Sequence, residues 1–136
     1  MLEILQNIIN VLKADATLTA IVPAKNMFVG PIDVTVEAQS ELLLPQINIH
    51  IVSEVGRSVP SNVRDTMVQI DIWDRDTILN TINAYERIVS LLNYTSPVQG
   101  STKIFWERLG GASDQYESDR RIFHRSVTYA CWSQKP

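Results

Sequence analysis

The fold is decided by two alternating stretches of the chain, QINIHI at residues 46–51 and VQIDIW at residues 68–73. In each stretch a β-branched apolar residue occupies every second position. Because successive side chains of a β-strand point to opposite faces, each stretch predicts a strand with one apolar and one polar face. Glycine, proline and asparagine interrupt the intervening residues 53–66. The two strands are therefore expected to form an antiparallel hairpin with a long loop.

A second pair of strands is predicted nearer the C-terminus, over about residues 103–109 and 121–132. The second of these strands alternates apolar residues with small or polar ones. Its apolar phase consists of Phe123, Val127, Tyr129 and Cys131. The intervening residues 110–120 are rich in glycine, serine and acidic residues and are expected to form a polar loop.

Two amphipathic helices are predicted from apolar residues at helical spacing. The first covers residues 2–13, and the second follows the first hairpin. The stripe of the second consists of Ile78, Ile82, Tyr85, Val89 and Leu92. A short helical turn capped by Asp15, a short strand at residues 27–29 and an irregular strand near residues 34–36 complete the pattern.

The order of these elements predicts an α+β fold. We expect a mostly antiparallel sheet of two hairpins plus a short strand, with two main amphipathic helices packed on one face. The chain has 136 residues, a length typical of one domain, here residues 1–136.

Composition excludes several classes of function. The chain has 12 Lys and Arg against 15 Asp and Glu, so its net charge is −3, which disfavours binding of nucleic acid through a basic face. Its single cysteine, Cys131, excludes a disulfide within the chain and favours a reducing compartment. We find no targeting segment and no apolar run long enough to span a membrane.

Residues suited to catalysis are few. His50 and His124 lie on the polar phase of their predicted strands, and Asp71 shares that phase on a neighbouring strand. The three could form a small metal- or ligand-binding site, while two solvated or interface histidines are the simpler interpretation. Cys131 lies on the apolar phase and is expected to be a buried, inert thiol.

Two other features of the sequence are better explained by a subunit contact than by catalysis. The polar phase of the sheet carries few charges, and the loop at residues 53–66 places valines among charged residues. Trp73, at a strand end, suits core anchoring or burial in an interface. The predicted subunit-interface residues are Val55, Arg57, Val59, Val63, Arg64 and Trp73.

The order of segments resembles a known family. The chain has KADATLTAIV at residues 13–22, PQINI at 45–49, VQIDIW at 68–73 directly before a helix, and RIFHRSVTY at 121–129. Over nearly its whole length it resembles the small tail-completion proteins of tailed bacteriophages, the tail terminator or tail-to-head joining family.

The resemblance implies a virion structural protein that catalyses nothing and needs no cofactor. Such late proteins are assembled in the host cytoplasm into a ring, typically hexameric, at the tail–head junction. The ring caps the tail tube, stops its polymerisation and offers a surface to the head-completion or neck protein, while DNA passes through its centre without specific binding. No membrane is involved. For the channel we expect the acidic residues of the second loop, Asp114, Glu117 and Asp119.

Two other interpretations remain open at this stage. One is a head-completion protein or neck stopper, or another minor tail protein. The other is of a different class, a small metal- or ligand-binding enzyme that uses His50, Asp71 and His124.

Overall fold

The computed structural model describes residues 2–30, 44–56, 63–75, 77–92, 98–99, 102–118 and 121–134. The helices are α1 (Leu2–Ala14), α2 (Ala16–Thr19) and α3 (Leu79–Leu92), with a 3-10 turn at Ala24–Asn26. The strands are β1 (Met27–Val29), β2 (Gln46–Gly56), β3 (Val63–Arg75), β4 (Val98–Gln99), β5 (Thr102–Glu117) and β6 (Ile122–Gln134).

The described strands form one sheet in the order β1-β2-β3-β6-β5-β4. Strand β1 runs parallel to β2, and the other neighbouring pairs are antiparallel. The hairpins β2–β3 and β5–β6 are joined by pairing of β3 with β6, from Val63 opposite Gln134 to Arg75 opposite Ile122. The α+β fold, with two hairpins and a short strand, is confirmed.

The core lies between the helices and one face of the sheet. Burial of apolar surface there is the main force that holds the two layers together. The long helices α1 and α3 and the strands β2, β3 and β6 contribute side chains that are 0% exposed. They include Ile8, Leu12, Ile88, Leu92, Ile47, Ile49, Val68, Ile70, Ile72 and Tyr129. The predicted stripe of α3 is partly wrong. Its buried residues are Thr81, Ala84, Tyr85, Ile88 and Leu92, whereas Ile82 and Val89 are half-buried and Ile78 precedes the helix.

Asp15 fastens the helical layer together. Its carboxylate accepts a hydrogen bond from the backbone N–H of Leu18 at 2.8 Å, so Asp15 is the N-cap that the sequence predicts for α2. The same carboxylate accepts two hydrogen bonds from Arg87 of α3, at 2.8 and 2.7 Å. One side chain therefore caps the N-terminus of α2 and ties this helix to α3.

The start of the sheet depends on close contacts between β1 and β2. Gly30 follows β1 with a φ of 109°, a conformation that favours glycine, and its N–H donates to the carbonyl of Ile49 at 2.6 Å. The side-chain amide of Asn26 donates to the carbonyl of Pro45 at 3.1 Å. The irregular strand predicted near residues 34–36 lies outside the described residues.

Both long loops predicted from the sequence are wrong in extent. Strand β2 continues to Gly56 and β3 begins at Val63, so much of the segment 53–66 is paired strand. Strand β5 continues to Glu117, so most of the segment 110–120 is also strand. The reason is a change of register between Leu109 and Ser113, which absorbs the glycines while the pairing with β6 resumes beyond them.

Among the described residues, no helix combines the length and the apolar character that crossing a membrane requires.

Candidate functional site

A polar cluster lies on the sheet face that the helices leave uncovered. Strand pairing builds it, because Asn48 stands opposite Asp71 and Asp71 stands opposite Ser126. The cross-strand pairs two positions away on either side lie on the same face of the sheet. They add His50, Gln69, Trp73 and His124 to the cluster. The polar phase of three adjacent strands is thus gathered at the centre of the sheet.

Asp71 is the buried acceptor of this cluster. Its residue is 4% exposed, and its Oδ1 accepts a hydrogen bond from Gln69 Nε2 at 2.9 Å and lies 2.6 Å from His124 Nε2. Its Oδ2 lies 3.6 Å from His50 Nδ1. A buried carboxylate needs such partners, because burying an ionised group without them is far more costly than burying a neutral polar group.

Trp73 and Asn48 extend the cluster toward β1. The indole N–H of Trp73 donates to Asn48 Oδ1 at 2.9 Å, and the Asn48 amide donates to the carbonyl of Gly30 at 3.0 Å. The indole also stacks on the His124 ring, with 3.8 Å between ring centroids and an interplanar angle of 1°. Trp73 is therefore fixed by its own chain on one ring face and at its polar atom.

The prediction that His50, Asp71 and His124 lie together on one sheet face is confirmed. The histidine side chains are 28% and 15% exposed, so neither is fully solvated. Within the described part of the chain, however, no group of three or more His, Cys, Asp and Glu side chains is placed to hold a metal ion. His124 Nε2 is already engaged with Asp71, and the buried His50 Nδ1 has no hydrogen-bond partner among the described residues.

The thiol of Cys131 is poorly suited to nucleophilic chemistry. The residue is 4% exposed on the apolar face, and burial raises the pKa of its thiol to about 12. At neutral pH the thiol is protonated, and the thiolate is the reactive form. Cys131 therefore acts as a small apolar core residue, as its phase in the sequence predicts.

The predicted interface residues fall at different places in the fold. Val55, Val63 and Arg64 lie in paired strand, with Val55 opposite Asp65 and Arg64 opposite both Gly56 and Ser133. Arg57 and Val59 lie outside the described residues. The assignment of all the predicted interface residues to a subunit contact stays a prediction.

Two of the three predicted channel residues lie in a strand and not in a loop. Asp114 and Glu117 lie in β5, and Asp119 lies outside the described residues. The Asp114 carboxylate accepts two hydrogen bonds from Arg125, at 2.7 and 2.8 Å, and these bonds lower the pKa of its carboxyl group. The negative charge of Asp114 is therefore paired within the chain.

The sequence pattern did not predict that several apolar residues are exposed. Phe28 and Val29 of β1 are 40% and 52% exposed, Val52 of β2 is 51% exposed, and Tyr116 of β5 is 51% exposed. Phe28-Val29 directly precedes Gly30-Pro31, so a strand with a sharp end was visible, but nothing in one sequence shows that this strand borders the sheet. Only the strand order reveals it.

Of the comparisons with known proteins, the comparison of structures gives a match. No protein-family model matches the chain, and no curated protein sequence matches it. Among solved structures, the chain is similar to a chain of "Virion of native gene transfer agent (GTA) particle". The two share 12% sequence identity at a TM-score of 0.68, covering 93% of this chain and 91% of the other. This chain thus has the fold of a component of a virion particle.

Proposed function

We propose that this protein is a virion structural protein of a tailed phage or phage-like particle, acting as a tail terminator. It caps the tail tube as a ring, typically hexameric, stops polymerisation of the tube and joins the tail to the head at the tail–head junction. The observation that carries the proposal is the fold, which matches a chain of a gene transfer agent virion over 93% of its length. The resemblance to tail-completion proteins supports the finer assignment.

The polar cluster supports a structural role over a catalytic one. Asp71 and His124 are engaged with each other, and Trp73 is bound to Asn48 and stacked on His124. Groups satisfied in this way give the sheet a defined geometry. A ring needs such rigid subunits, because two different patches must meet after a fixed rotation.

The charge of the chain agrees with passage of DNA through a central channel. A net charge of −3 disfavours tight contact with phosphates, which would slow the passage. Because Asp114 is paired with Arg125, the proposed lining of the channel rests mainly on Glu117 and Asp119. The tube protein and the neck protein are the proposed partners on the two faces of the ring.

Electron microscopy and light scattering of the purified protein, alone and mixed with tail tubes, test this function. We expect rings at tube ends and arrest of tube growth. Rings on the portal side of heads would favour a head-completion protein or neck stopper. Bound metal in a protein that joins neither tubes nor heads would favour the enzyme that uses His50, Asp71 and His124.

A loop replacement sharpens the test. Exchanging residues 57–63 for Asn-Gly places a two-residue turn directly between Gly56 and Arg64 and keeps their pairing, so the hairpin can still form. If the tip of this hairpin carries the subunit contact, tube capping is lost while the unfolding transition stays unchanged. Leu79→Ser, at a 64% exposed helix position, is the matched control and should cap normally. Normal capping by the loop variant would remove the hairpin tip from the proposal.

A further inference from the structure

Strand β1 is attached to the sheet differently at its two ends. Met27, its first residue, is 3% exposed in the core, and the Asn26 side chain just before it donates to the carbonyl of Pro45. Phe28 and Val29 are 40% and 52% exposed, so their side chains gain little from burial. The pairing with β2 is parallel, which is slightly less stable per residue than antiparallel pairing. Apolar burial therefore holds the start of β1 and not its end.

The end of β1 is held by hydrogen bonds at Gly30. The Gly30 N–H donates to the carbonyl of Ile49 at 2.6 Å, and the Gly30 carbonyl accepts from the side-chain amide of Asn48 at 3.0 Å. A Cβ placed on Gly30 would meet no atom within 4 Å, so glycine suits this position because of its φ of 109° and not for lack of space. Strand β2 thus satisfies both backbone groups of Gly30, one with its main chain and one with a side chain.

The orientation of the Asn48 amide is fixed by Trp73. Asn48 is 2% exposed, and its Oδ1 accepts a hydrogen bond from the indole N–H of Trp73 at 2.9 Å. An indole N–H can only donate and a backbone carbonyl can only accept, so Oδ1 must face Trp73 and the amide nitrogen must face Gly30. The bond from Trp73 therefore keeps the donor of Asn48 directed at the end of β1.

Trp73 is fixed in turn by β6. Its indole stacks on the His124 ring with 3.8 Å between the ring centroids, and His124 Nε2 lies 2.6 Å from Asp71 Oδ1. A continuous series of contacts thus leads from the buried pair Asp71 and His124, through Trp73 and Asn48, to Gly30. The members of such a network stabilise one another.

We infer that Asn48 is a clasp that holds the end of β1 on the sheet, and that Trp73 is the positioning residue that keeps the clasp closed. When the clasp opens, β1 separates from β2 beginning at Gly30, while Met27 and the rest of the sheet stay in place. Such a local opening costs less free energy than unfolding of the whole chain. It frees the carbonyl of Ile49, a group with which a strand of another molecule can pair. This device does not depend on the proposed ring.

Hydrogen exchange of single amides, followed by NMR of the isotope-labelled chain, tests the inference. The amide of Gly30 reports on the end of β1, and the amide of Ile70, in a strand paired on both sides, reports on the sheet as a whole. After correction for intrinsic rates, we expect Gly30 to exchange at least about tenfold faster than Ile70 in the unmodified chain. Equal rates would show that β1 opens only when the whole chain unfolds, and would overturn the inference.

Variants of the clasp should change the ratio of the Gly30 rate to the Ile70 rate. Asn48→Leu keeps the branched shape of the side chain but removes both of its hydrogen bonds, and should raise the ratio about tenfold or more. Trp73→Phe keeps a ring beside His124 but loses the indole N–H, and should raise the ratio less. Ser126→Ala, opposite Asp71 on the same face of the sheet, is the matched control and should leave the ratio unchanged.

The ratio distinguishes a clasp from a general loss of stability. If both rates rise together in Asn48→Leu, Asn48 stabilises the whole sheet and the inference is wrong. A rise of the ratio in Ser126→Ala as large as that in Asn48→Leu would also overturn it, because the effect would then not belong to the clasp.

A further variant decides the question if Asn48→Leu does not fold. Gly30→Ala places a Cβ on a backbone with a φ of 109° and strains the end of β1 without changing Asn48. The amide at position 30 should then exchange faster while the amide of Ile70 does not. An unchanged ratio in both Gly30→Ala and Trp73→Phe would overturn the inference.

Discussion

On the sheet face beneath the helices, the strands contribute Ile49, Ile70 and Val127; on the opposite face, the same strands contribute Asn48, Asp71 and His124. Asn48 and Asp71 are 2% and 4% exposed, so parts of the two faces are buried to a similar degree. Apolar burial is non-directional and tolerates imperfect geometry, whereas a buried polar group needs a partner at a set distance. The faces should therefore fail in different ways when a side chain is changed.

The largest expected effect breaks the apolar face. Ile70→Ala removes a side chain that is 0% exposed at the centre of the sheet, and should lower the free energy of unfolding by about 2–5 kcal/mol through lost burial and a cavity. Urea denaturation measures it. Val52→Ala, at a 51% exposed position, should change the free energy of unfolding by less than about 0.5 kcal/mol. Equal losses at both positions would contradict the assignment of the core.

The next effect breaks the polar face. Asp71→Ala leaves the His124 and Gln69 donors without their buried acceptor and should cost about 1–3 kcal/mol. Asp71→Asn keeps an acceptor oxygen and should cost less. In the double variant Asp71→Ala, His124→Ala the losses should be clearly less than additive, because both changes remove the same contact. Additive losses would show that the two side chains act independently.

A smaller effect concerns the fastening of the helix layer. Asp15→Ala removes both the cap of α2 and the partner of Arg87, and should cost about 1–2 kcal/mol at neutral pH. Arg87→Met removes the ion pair alone and should cost less. An Asp15→Ala loss no larger than that of Arg87→Met would show that the cap contributes nothing.

The contribution of Asp15 should also depend on pH. Hydrogen bonding from Arg87 holds the pKa of the Asp15 carboxyl below its usual value of 3.8. Because the folded pKa is lowered, the stabilisation is complete above the unfolded pKa and is lost as the pH falls through the folded pKa. The difference in unfolding free energy between the unmodified chain and Asp15→Ala should therefore shrink below pH ~4.

The smallest effect concerns a charged residue on the apolar face. Arg125, 16% exposed at its side chain, lies opposite Ile72, pairs with Asp114 and places its guanidinium 4.8 Å from the centre of the Tyr85 ring. Arg125→Lys keeps the charge but loses the two hydrogen bonds to Asp114 and the cation–π contact of the guanidinium with the Tyr85 ring. The change should lower the free energy of unfolding by about 0.5–1 kcal/mol. The loss should diminish in high salt, as thermal melts at two ionic strengths would show.

The alternation of residues predicted the two faces, but partners and strand order needed the third dimension. The phase of Asp71 and His124 correctly put them on one face, whereas their contact depends on the pairing of β3 with β6, which no local pattern encodes. The adjacent glycines at 110–111 suggested a loop because glycine in a strand interior weakens the strand. In the structure, pairing on both sides of the irregularity overrides that local preference.

The pairing of β3 with β6 has a consequence for how the chain folds. Each hairpin joins strands that are neighbours in sequence, but the central seam joins Val63 to Gln134, at almost opposite ends of the second half of the chain. Contacts between distant segments close slowly, because the entropy of a long loop is lost before the contact rewards it. During synthesis the first hairpin would thus wait with an open flank until β6 leaves the ribosome. Refolding of the chain should be limited by the docking of two preformed hairpins, in milliseconds to seconds.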